Sequence, residues 1–524
     1  MNLLAQLATT DEIEPTTVTQ ALTDSKWRQA MSDEFNALVK NGTWALVSPS
    51  PHHNLVGCKW IFQIKRNSDG SVDRYKARLV AKGFHQRPGV DFHDTFSPVV
   101  KPTTVRIVLS IAVSHGWDLR QLDINNALLQ GHLYEDVYMA QPQGFIDGDK
   151  PNYVCKLRKA IYGLKQAPRA WYNELQSFLI QFGFKNSIAD TSLFVYNDGT
   201  HILYLIVYVD DLIITGDKPL KINEFITLLA KQFSLKDLGK LAYFLGIEVV
   251  PNDQGLILSQ RRYILELLNR ANMTAAKSVL TPLSTTAQLT SQSGTPLDDA
   301  TEYCAMLGSL QYLLITRPDI AFVVNRLSQY MHCPKTDHWT CLKRLLRYLA
   351  GTVNEGLQLY HHSSTSIHAF FDADWAGNKD DFSSTGAYLV YLGRNLVSWC
   401  SKKQRTVARS STEAEYRSVA NTAAVLTWIC SLLTDLHIRV PTCPVIYCDN
   451  VGATQLCSNL IFHSRMKHVA IDFHFIREQV QNGSLRVAHV SSNDQLADAL
   501  TKALPRPRFL QLRCKIGLLS RSPS

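Results

Sequence analysis

The chain has 524 residues, 45% of them hydrophobic and 19% charged, an ordinary globular composition at a length beyond one core, so two to four domains are expected. Fifty-four Lys and Arg against 45 Asp and Glu leave a net charge of +9, a mild lean toward a polyanionic partner. Eleven cysteines without a C-x-x-C pair imply reduced thiols rather than a disulfide framework, no 18 apolar residues run together, and MNLLAQLATTDEIEPTT has neither the basic start nor the apolar core of a secretory signal.

Residues 1–24 are polar and Thr-rich and read as a loose leader, after which SKWRQAMSDEFNALVKNGT places Trp27, Met31, Phe35 and Leu38 on one helical face. Strand patterns follow from Lys59 to Val100. In RYKARLVAKG the cations Arg74, Lys76 and Arg78 share one face and Tyr75, Ala77 and Leu79 the other, which suits either a triphosphate clamp or an edge strand guarded by charge. Helix returns at VRIVLSIAVSHG. The short segment LRQLD then ends on Asp123 before INNALLQG, so that Asp123 is either a helix N-cap or a ligand. Strand and helix alternate to about Val250, giving an α+β unit over 25–250.

Within that unit, LYLIV and LIITG are apolar and rich in β-branched residues, the pattern of two strands buried on both faces and joined by a tight turn. Between them stand Tyr208-Val209-Asp210-Asp211. Adjacent carboxylates at such a tip repel each other unless a cation relieves them, and hard ions such as Mg²⁺ take carboxylate oxygens. A two-metal site needs a further carboxylate from another strand, and Asp123 is the upstream candidate.

Residues 251–362 are mostly helical, interrupted by the Ser/Thr-rich linker Thr281–Gly294; Arg261, Arg262, Lys343, Arg344 and Arg347 form either a basic track for a duplex or a solvated face. A second α+β unit over 363–505 carries Asp372 at the end of IHAFF, Glu415 on a long helix, Asp449 at the end of PVIYC and Asp498 on its last helix. Four carboxylates from four elements suggest a second two-metal site. Glu413 competes with Glu415 for the helix position. Cys443, Cys448, Cys457, His463 and His468 are disfavoured as a zinc cluster because Cys448 lies inside a strand pattern, and His468 and His474 fall on different helix faces. Arg465, Lys467 and Arg477 are either phosphate contacts or solvated. The basic tail 506–524 is expected to fray.

The blocks KWIFQIKRNSDGSVDRYKARLVAKGF, FSPVVKPTTVR, QLDINNALLQG, YMAQPQGF, YGLKQAPRAWY, VYVDDLIITG and YFLGIEV, in this order, resemble a copia-type retrotransposon reverse transcriptase. FFDADWAG, SSTEAEYRSVA, IYCDN, KHVAIDFHFIRE and DQLADALTKAL resemble the ribonuclease H domain that follows it. The resemblance implies an α+β multidomain chain, a right-hand polymerase of fingers, palm and thumb followed by a ribonuclease H-like domain. It implies metal ligation by Asp123, Asp210 and Asp211 and again by Asp372, Glu415, Asp449 and Asp498, with two Mg²⁺ per site or Mn²⁺ in their place. Glu415 is preferred over Glu413 because Tyr416 and Val419 continue the family pattern.

By the same likeness Lys76 and Arg78 hold the incoming deoxynucleoside triphosphate, YGLKQAP with Lys165 lies beside the templating pair, and YFLGIEV is the primer grip. The implied partners are an RNA template, a DNA primer or product and the RNA–DNA hybrid, with no membrane and a dimer left open. The setting is cytoplasmic, in a virus-like particle for an intact element, or nuclear. Two positions depart from the family. Leu128 stands where an aromatic ring usually excludes the ribose hydroxyl, and His132 where an acid is common. No zinc knuckle, protease triad or integrase region is present, so the chain reads as the C-terminal part of a polyprotein or a truncated copy. Intact acids favour an active enzyme, while Leu128 leaves a nucleic-acid-binding remnant as the alternative.

Overall fold

The computed structural model describes residues 13–66, 71–458 and 470–520. Over residues 17–24 the structure corrects the loose leader. Thr17 Oγ1 accepts from Gln20 N at 3.3 Å to cap the short helix Val18–Thr23, and Asp24 accepts from Lys26 N at 2.8 Å to start the next, Ser25–Lys40. Trp27, Met31 and Leu38 of the second helix are buried, and the Trp27 ring meets Phe62 and Tyr75 edge-on at 5.3 and 4.9 Å. These two aromatics belong to the antiparallel ribbon Cys58–Arg66/Val72–Ala81, which carries the basic face. A four-stranded sheet, in the order Trp44–Val47, Val154–Lys159, His132–Met139, Leu55–Val56, completes the fingers around a separate core.

The palm is a six-stranded sheet ordered Leu235–Lys240, Leu119–Ile124, Asp211–Gly216, Ile202–Tyr208, Leu193–Asn197, Phe184–Asn186. Its central hairpin has no polar alternation because both faces are covered. Leu203, Leu205 and Val207 pack into the core formed with the helices Ala167–Phe182 and Pro219–Gln232, whereas Tyr204 and Ile206 join the core of the helix Pro102–His115.

Beyond the palm, Tyr243–Phe244, Ile247–Asn252, Gly255–Ser259 and Glu355–Tyr360 form a second sheet, and its fifth strand, Leu518–Ser520, comes from the tail. Over residues 506–520 the tail therefore does not fray. Residues Arg506–Ile516 are helical, with Phe509, Leu512 and Ile516 buried at helical spacing and Gly517 closing the helix at φ 101°. The helical segment supplies Arg261–Arg270, Thr301–Leu313, Ala321–Ser328 and Thr336–Gly351, and residues 271–300 between the first two have neither helix nor strand. At its heart Arg317 and Asp319, 0% and 1% exposed, pair in two hydrogen bonds of 2.9 and 2.7 Å.

The last unit is a mixed five-stranded sheet ordered Asn395–Lys403, Thr385–Leu392, Ile367–Ala373, Val445–Cys448, Arg486–His489. Its first three strands are antiparallel and its last two pairings parallel, and the 25-residue helix Ser411–Asp435 lies across it. This is a ribonuclease H-like topology behind a right-hand polymerase. The expected borders at 250 and 362 do not separate cores, because one apolar cluster runs from the palm helix through the helical segment into this sheet. Buried polar ties reinforce it. Arg106 donates to Val397 O and Ile315 O, each at 2.8 Å, beneath the Trp399 ring, and Asn395 Nδ2 donates to Ser110 Oγ at 2.7 Å.

Candidate active sites

In the palm, the hairpin pairs Tyr208 with Asp211, so Val209 and Asp210 form the turn and Asp211 opens the returning strand. Sequence reading had both acids at the tip; the register places only Asp210 there. Val209 has φ 54°, a left-handed conformation where hairpin turns favour glycine, and it is held because Trp171 Nε1 donates to its carbonyl at 2.6 Å. Asp123 is no helix cap. It is the Cα partner of Asp211 across the sheet, and the next residue, Ile124, donates its N–H to Asp210 O at 2.9 Å. Three carboxylates thus come together at one end of the sheet's inner strands, with Asp210 exposed and the others half-buried.

Their electrostatics follow from that crowding. Burial, then Asp210 and Asp123, push the Asp211 carboxyl up to about 6, against a hydrogen bond from Gln121. Burial and Asp210 also raise Asp123, while Lys236 and Lys76 oppose the shift. Lys236, directly across the sheet from Asp123, escaped sequence reading because strand pairing alone creates the contact. Lys76 is pushed down by burial and by its neighbours Arg78 and Arg74, and Arg78 lies over the Tyr162 ring at 5.0 Å. Of the basic ribbon, Lys76 lies near enough to Asp123 to favour its charged form.

Lys165 does not join them. Its ammonium lies 3.5 Å from Gln86 O and 4.8 Å over the Phe92 ring, which makes it a tie between the YGLKQAP turn and the 86–92 loop. Leu128 sits half-buried in the 3-10 turn Ala127–Gln130 against the palm core, where a helix was expected. His132 Nδ1 lies 3.0 Å from Glu174 Oε2. In YFLGIEV, Leu245 and Gly246 take left-handed backbone between the short strands, and a Cβ on Gly246 would collide with the Tyr312 hydroxyl.

The second site is tighter. Asp372 ends its strand, Glu415 lies on the long helix, and Asp449 follows the parallel strand Val445–Cys448; one oxygen from each lies within 4.8 Å of the others. Among the described residues no other three acids, cysteines or histidines converge so closely, the palm trio included. Burial, then Asp372 and Asp449, push Glu415 up to about 9, and its Oε2 is buried without a hydrogen bond. An orphaned carboxylate oxygen facing two other acids fits a bound cation. Glu413 is excluded from this role: it pairs with Arg417 at 2.7 Å and accepts from Arg409 N.

Asp498 occupies a 3-10 turn, Leu496–Leu500, rather than a long helix. Its carboxylate is engaged by Lys502 at 2.7 Å and Arg508 at 3.3 Å. Lys502 also reaches Asp372 at 3.5 Å, and Thr501 Oγ1 donates to the same carboxylate. Lys502 and Thr501 were missed, although Lys502 follows Asp498 by four residues, the spacing of an ion pair on one helical face. Asp374, beside Asp372, is raised to about 6 by burial.

Of the basic track, Arg344 donates to Thr281 Oγ1 of the linker, Arg347 to Lys277 O and Arg261 to Asn354, Lys343 lies 5.3 Å from the Trp339 ring, and Arg262 pairs with Glu266. Arg477 stands 6.0 Å from the Phe473 ring, while His463, Arg465, Lys467 and His468 lie outside the described residues. All eleven cysteines are free. Among the described residues, no helix is long and apolar enough to cross a membrane.

Residues 41–285 match the family "Reverse transcriptase (RNA-dependent DNA polymerase)". The Retrovirus-related Pol polyprotein from transposon RE1 of Arabidopsis thaliana is 60% identical over 514 residues, 98% of this chain but 35% of that protein, so the chain spans about a third of that relative's length. A putative transposon Ty5-1 protein of Saccharomyces cerevisiae is 33% identical over 304 residues, 57% of this chain and 99% of that one. Among solved structures, the foamy viral protease-reverse transcriptase dRH in complex with ds DNA aligns with 90% of this chain and 70% of that one at 11% identity and a TM-score of 0.48. The chain belongs to the copia-type family of retrotransposon Pol polyproteins.

Proposed function

We propose that this chain is an RNA-directed DNA polymerase with a ribonuclease H unit, copying RNA into DNA at the palm and cutting the RNA of the resulting hybrid at the second carboxylate site. The observation that supports it best is the register that sets Asp123 opposite Asp211 beside Asp210, with Lys76 of the basic ribbon near Asp123. Carboxylates with no packing role, at the ends of neighbouring inner strands and next to clustered cations, suit a reaction between a polyanion and a triphosphate.

In this reading Asp123, Asp210 and Asp211 hold the cations of the palm, and Asp372, Glu415 and Asp449 those of the second site, with Asp498 as an outer acid. Mg²⁺ or Mn²⁺, when bound, supplies activation of the attacking oxygen and charge neutralisation in the transition state. The chain's own residues do the rest. Lys76 and Arg78 attract and orient the triphosphate, Leu128 borders the sugar, and the Trp171 bond to Val209 fixes the turn that presents Asp210. Without a cation, Glu415 keeps its proton on the carboxyl; a neutralising charge among the three acids lets it go. The partners are an RNA template, a DNA primer and the hybrid, and the setting is the cytoplasm, in a virus-like particle for an intact element, or the nucleus.

Mg²⁺-dependent extension of oligo(dT) on poly(rA) tests the polymerase. Asp210→Asn should lower the rate by about a hundredfold or more, since a preorganised charge in the transition state is lost. Equal extension by both proteins would defeat the assignment. In parallel, Glu415→Gln should abolish release of labelled RNA from a hybrid while leaving extension intact. Hybrid binding with neither activity would establish the remnant instead.

A further inference from the structure

The YGLKQAP turn brings a second group toward the palm besides Lys165. Tyr162, its first residue, forms a β-bridge with Val80 and accepts from Ala81 N at 2.7 Å, so its backbone is fastened to the end of the basic strand. A Cβ on Gly163 would collide with Ala81 O, which leaves the turn no room to draw back. From this anchor in the fingers the Tyr162 side chain reaches the palm. Arg78 lies 5.0 Å over its ring, and its hydroxyl donates to Asn126 Oδ1 at 3.3 Å. Asn126, held in left-handed backbone at φ 52°, stands three residues after Asp123 and two before Leu128.

The bond is open to a ligand, since Asn126 is exposed and Tyr162 half-buried. Burial raises the Tyr162 hydroxyl above its ordinary pKa; Arg78 opposes the rise, and Glu34, Asp210 and Asp123 add to it. The phenol is therefore protonated at neutral pH. Its one proton goes to Asn126, and its oxygen keeps a lone pair to which no group among the described residues donates. Such an acceptor takes a hydroxyl donor. With a triphosphate on Lys76 and Arg78 and its α-phosphate at the palm carboxylates, the sugar attached to that phosphate lies beside both Asp123 and Asn126. A deoxynucleotide sugar offers one hydroxyl, at the 3′ position.

We propose that the Tyr162 hydroxyl accepts a hydrogen bond from the 3′-hydroxyl of the incoming deoxynucleotide and so selects nucleotides that can be extended over chain terminators. The inference rests on the palm as the site of nucleotide addition. It is separate from the role of Leu128, which concerns the 2′ position.

Binding without turnover tests it. The full chain is assembled on poly(rA) with an oligo(dT) primer that ends in a dideoxynucleotide, so that no bond can form, and its affinities for dTTP and for dideoxy-TTP are measured with Mg²⁺ by calorimetry. The wild type should prefer dTTP about tenfold, the worth of one neutral hydrogen bond. Tyr162→Phe, which keeps the ring beneath Arg78, should lose that preference with its affinity for dideoxy-TTP unchanged. A wild type without the preference, or a variant that retains it, overturns the inference. Equal weakening of both nucleotides in the variant overturns it as well, and assigns the hydroxyl to a phosphate instead. No binding of dTTP by the wild type defeats the nucleotide reading of the palm, and this inference falls with it.

Discussion

Leu128 stands five residues after Asp123, in the turn that leads from the palm strand to Gly131. The turn has no room to shift, because a Cβ at Gly131 would meet the Trp171 nitrogen at 2.5 Å, so whatever occupies position 128 is presented at a fixed place. With Leu128 bordering the sugar as proposed, a flexible branched side chain excludes a ribose hydroxyl less sharply than a flat ring. Leu128→Phe should therefore raise selectivity for deoxy- over ribonucleotides on the order of tenfold, the discrimination a small steric difference supplies. Incorporation kinetics with dTTP and UTP measure it, and the same ratio in both proteins would contradict it. At the second site Lys502 presents a cation to Asp372 and Asp498, where the proposed function also places a divalent ion. Lys502→Met removes the competitor, so Mg²⁺ should bind severalfold more tightly by calorimetry while the metal-free protein melts lower from carboxylate repulsion. Unchanged Mg²⁺ affinity would show that the ammonium and the ion do not compete.

At the scale of elements, the palm hairpin was readable because its apolar runs are unbroken on both faces, and Glu415 because the helix around it continues a family pattern. The register was not: Lys236 opposite Asp123, and Asp210 alone in the turn, depend on which strands pair. The tail was misread because RPRFLQLRCK is dominated by its charges, although Pro507 near the helix start, Phe509, Leu512 and Ile516 on one face and Gly517 after the end were all present. The linker Thr281–Gly294 looked free for want of periodicity, yet a buried histidine holds it. His338 accepts from Lys335 N at Nδ1 and faces Thr290 O from Nε2, both at 3.0 Å, while stacking on Tyr330 at 4.0 Å. Only the neutral ring can serve both bonds. Burial lowers its pKa, and Lys335 adds to this; Thr290, Asp337 and Asp380 pull the other way. With the folded value below the unfolded one near 6.5, the stabilisation is complete above that pH and is lost as pH falls through it toward the folded value. Denaturant midpoints should fall between pH 7 and pH 5.5, and fall less in His338→Gln, whose amide can keep both bonds without titrating. Parallel pH profiles would show that the ring is not the sensor.

Over the whole molecule, the polymerase and ribonuclease H-like units share one apolar core, and the tail helps to close it. Phe509, Leu512, Ile516 and Leu518 are buried in that core or at its edge, roughly 1.5–3 kcal/mol each as an upper bound. Arg513 reaches Glu355 at 3.1 Å and the Tyr348 hydroxyl at 3.4 Å. That hydroxyl in turn donates to Asp319 at 2.6 Å, and Asp319 holds the buried Arg317. The palm has independent ties to the last unit: Asp435 accepts from Ser187 Oγ, Ile188 N and Ala189 N, and Tyr204 donates to Leu436 O at 2.7 Å. A chain ending at Pro505 therefore keeps the palm contacts and loses the seam between the helical segment and the second carboxylate site, including the Arg508 bond to Asp498. Calorimetry of the full chain should show residues 100–520 unfolding in one cooperative transition. The shortened chain should lose several kcal/mol and split that transition, with the lower component abolishing hybrid cleavage at a temperature where primer extension persists. A single transition at an unchanged midpoint would mean that the palm contacts alone hold the units together.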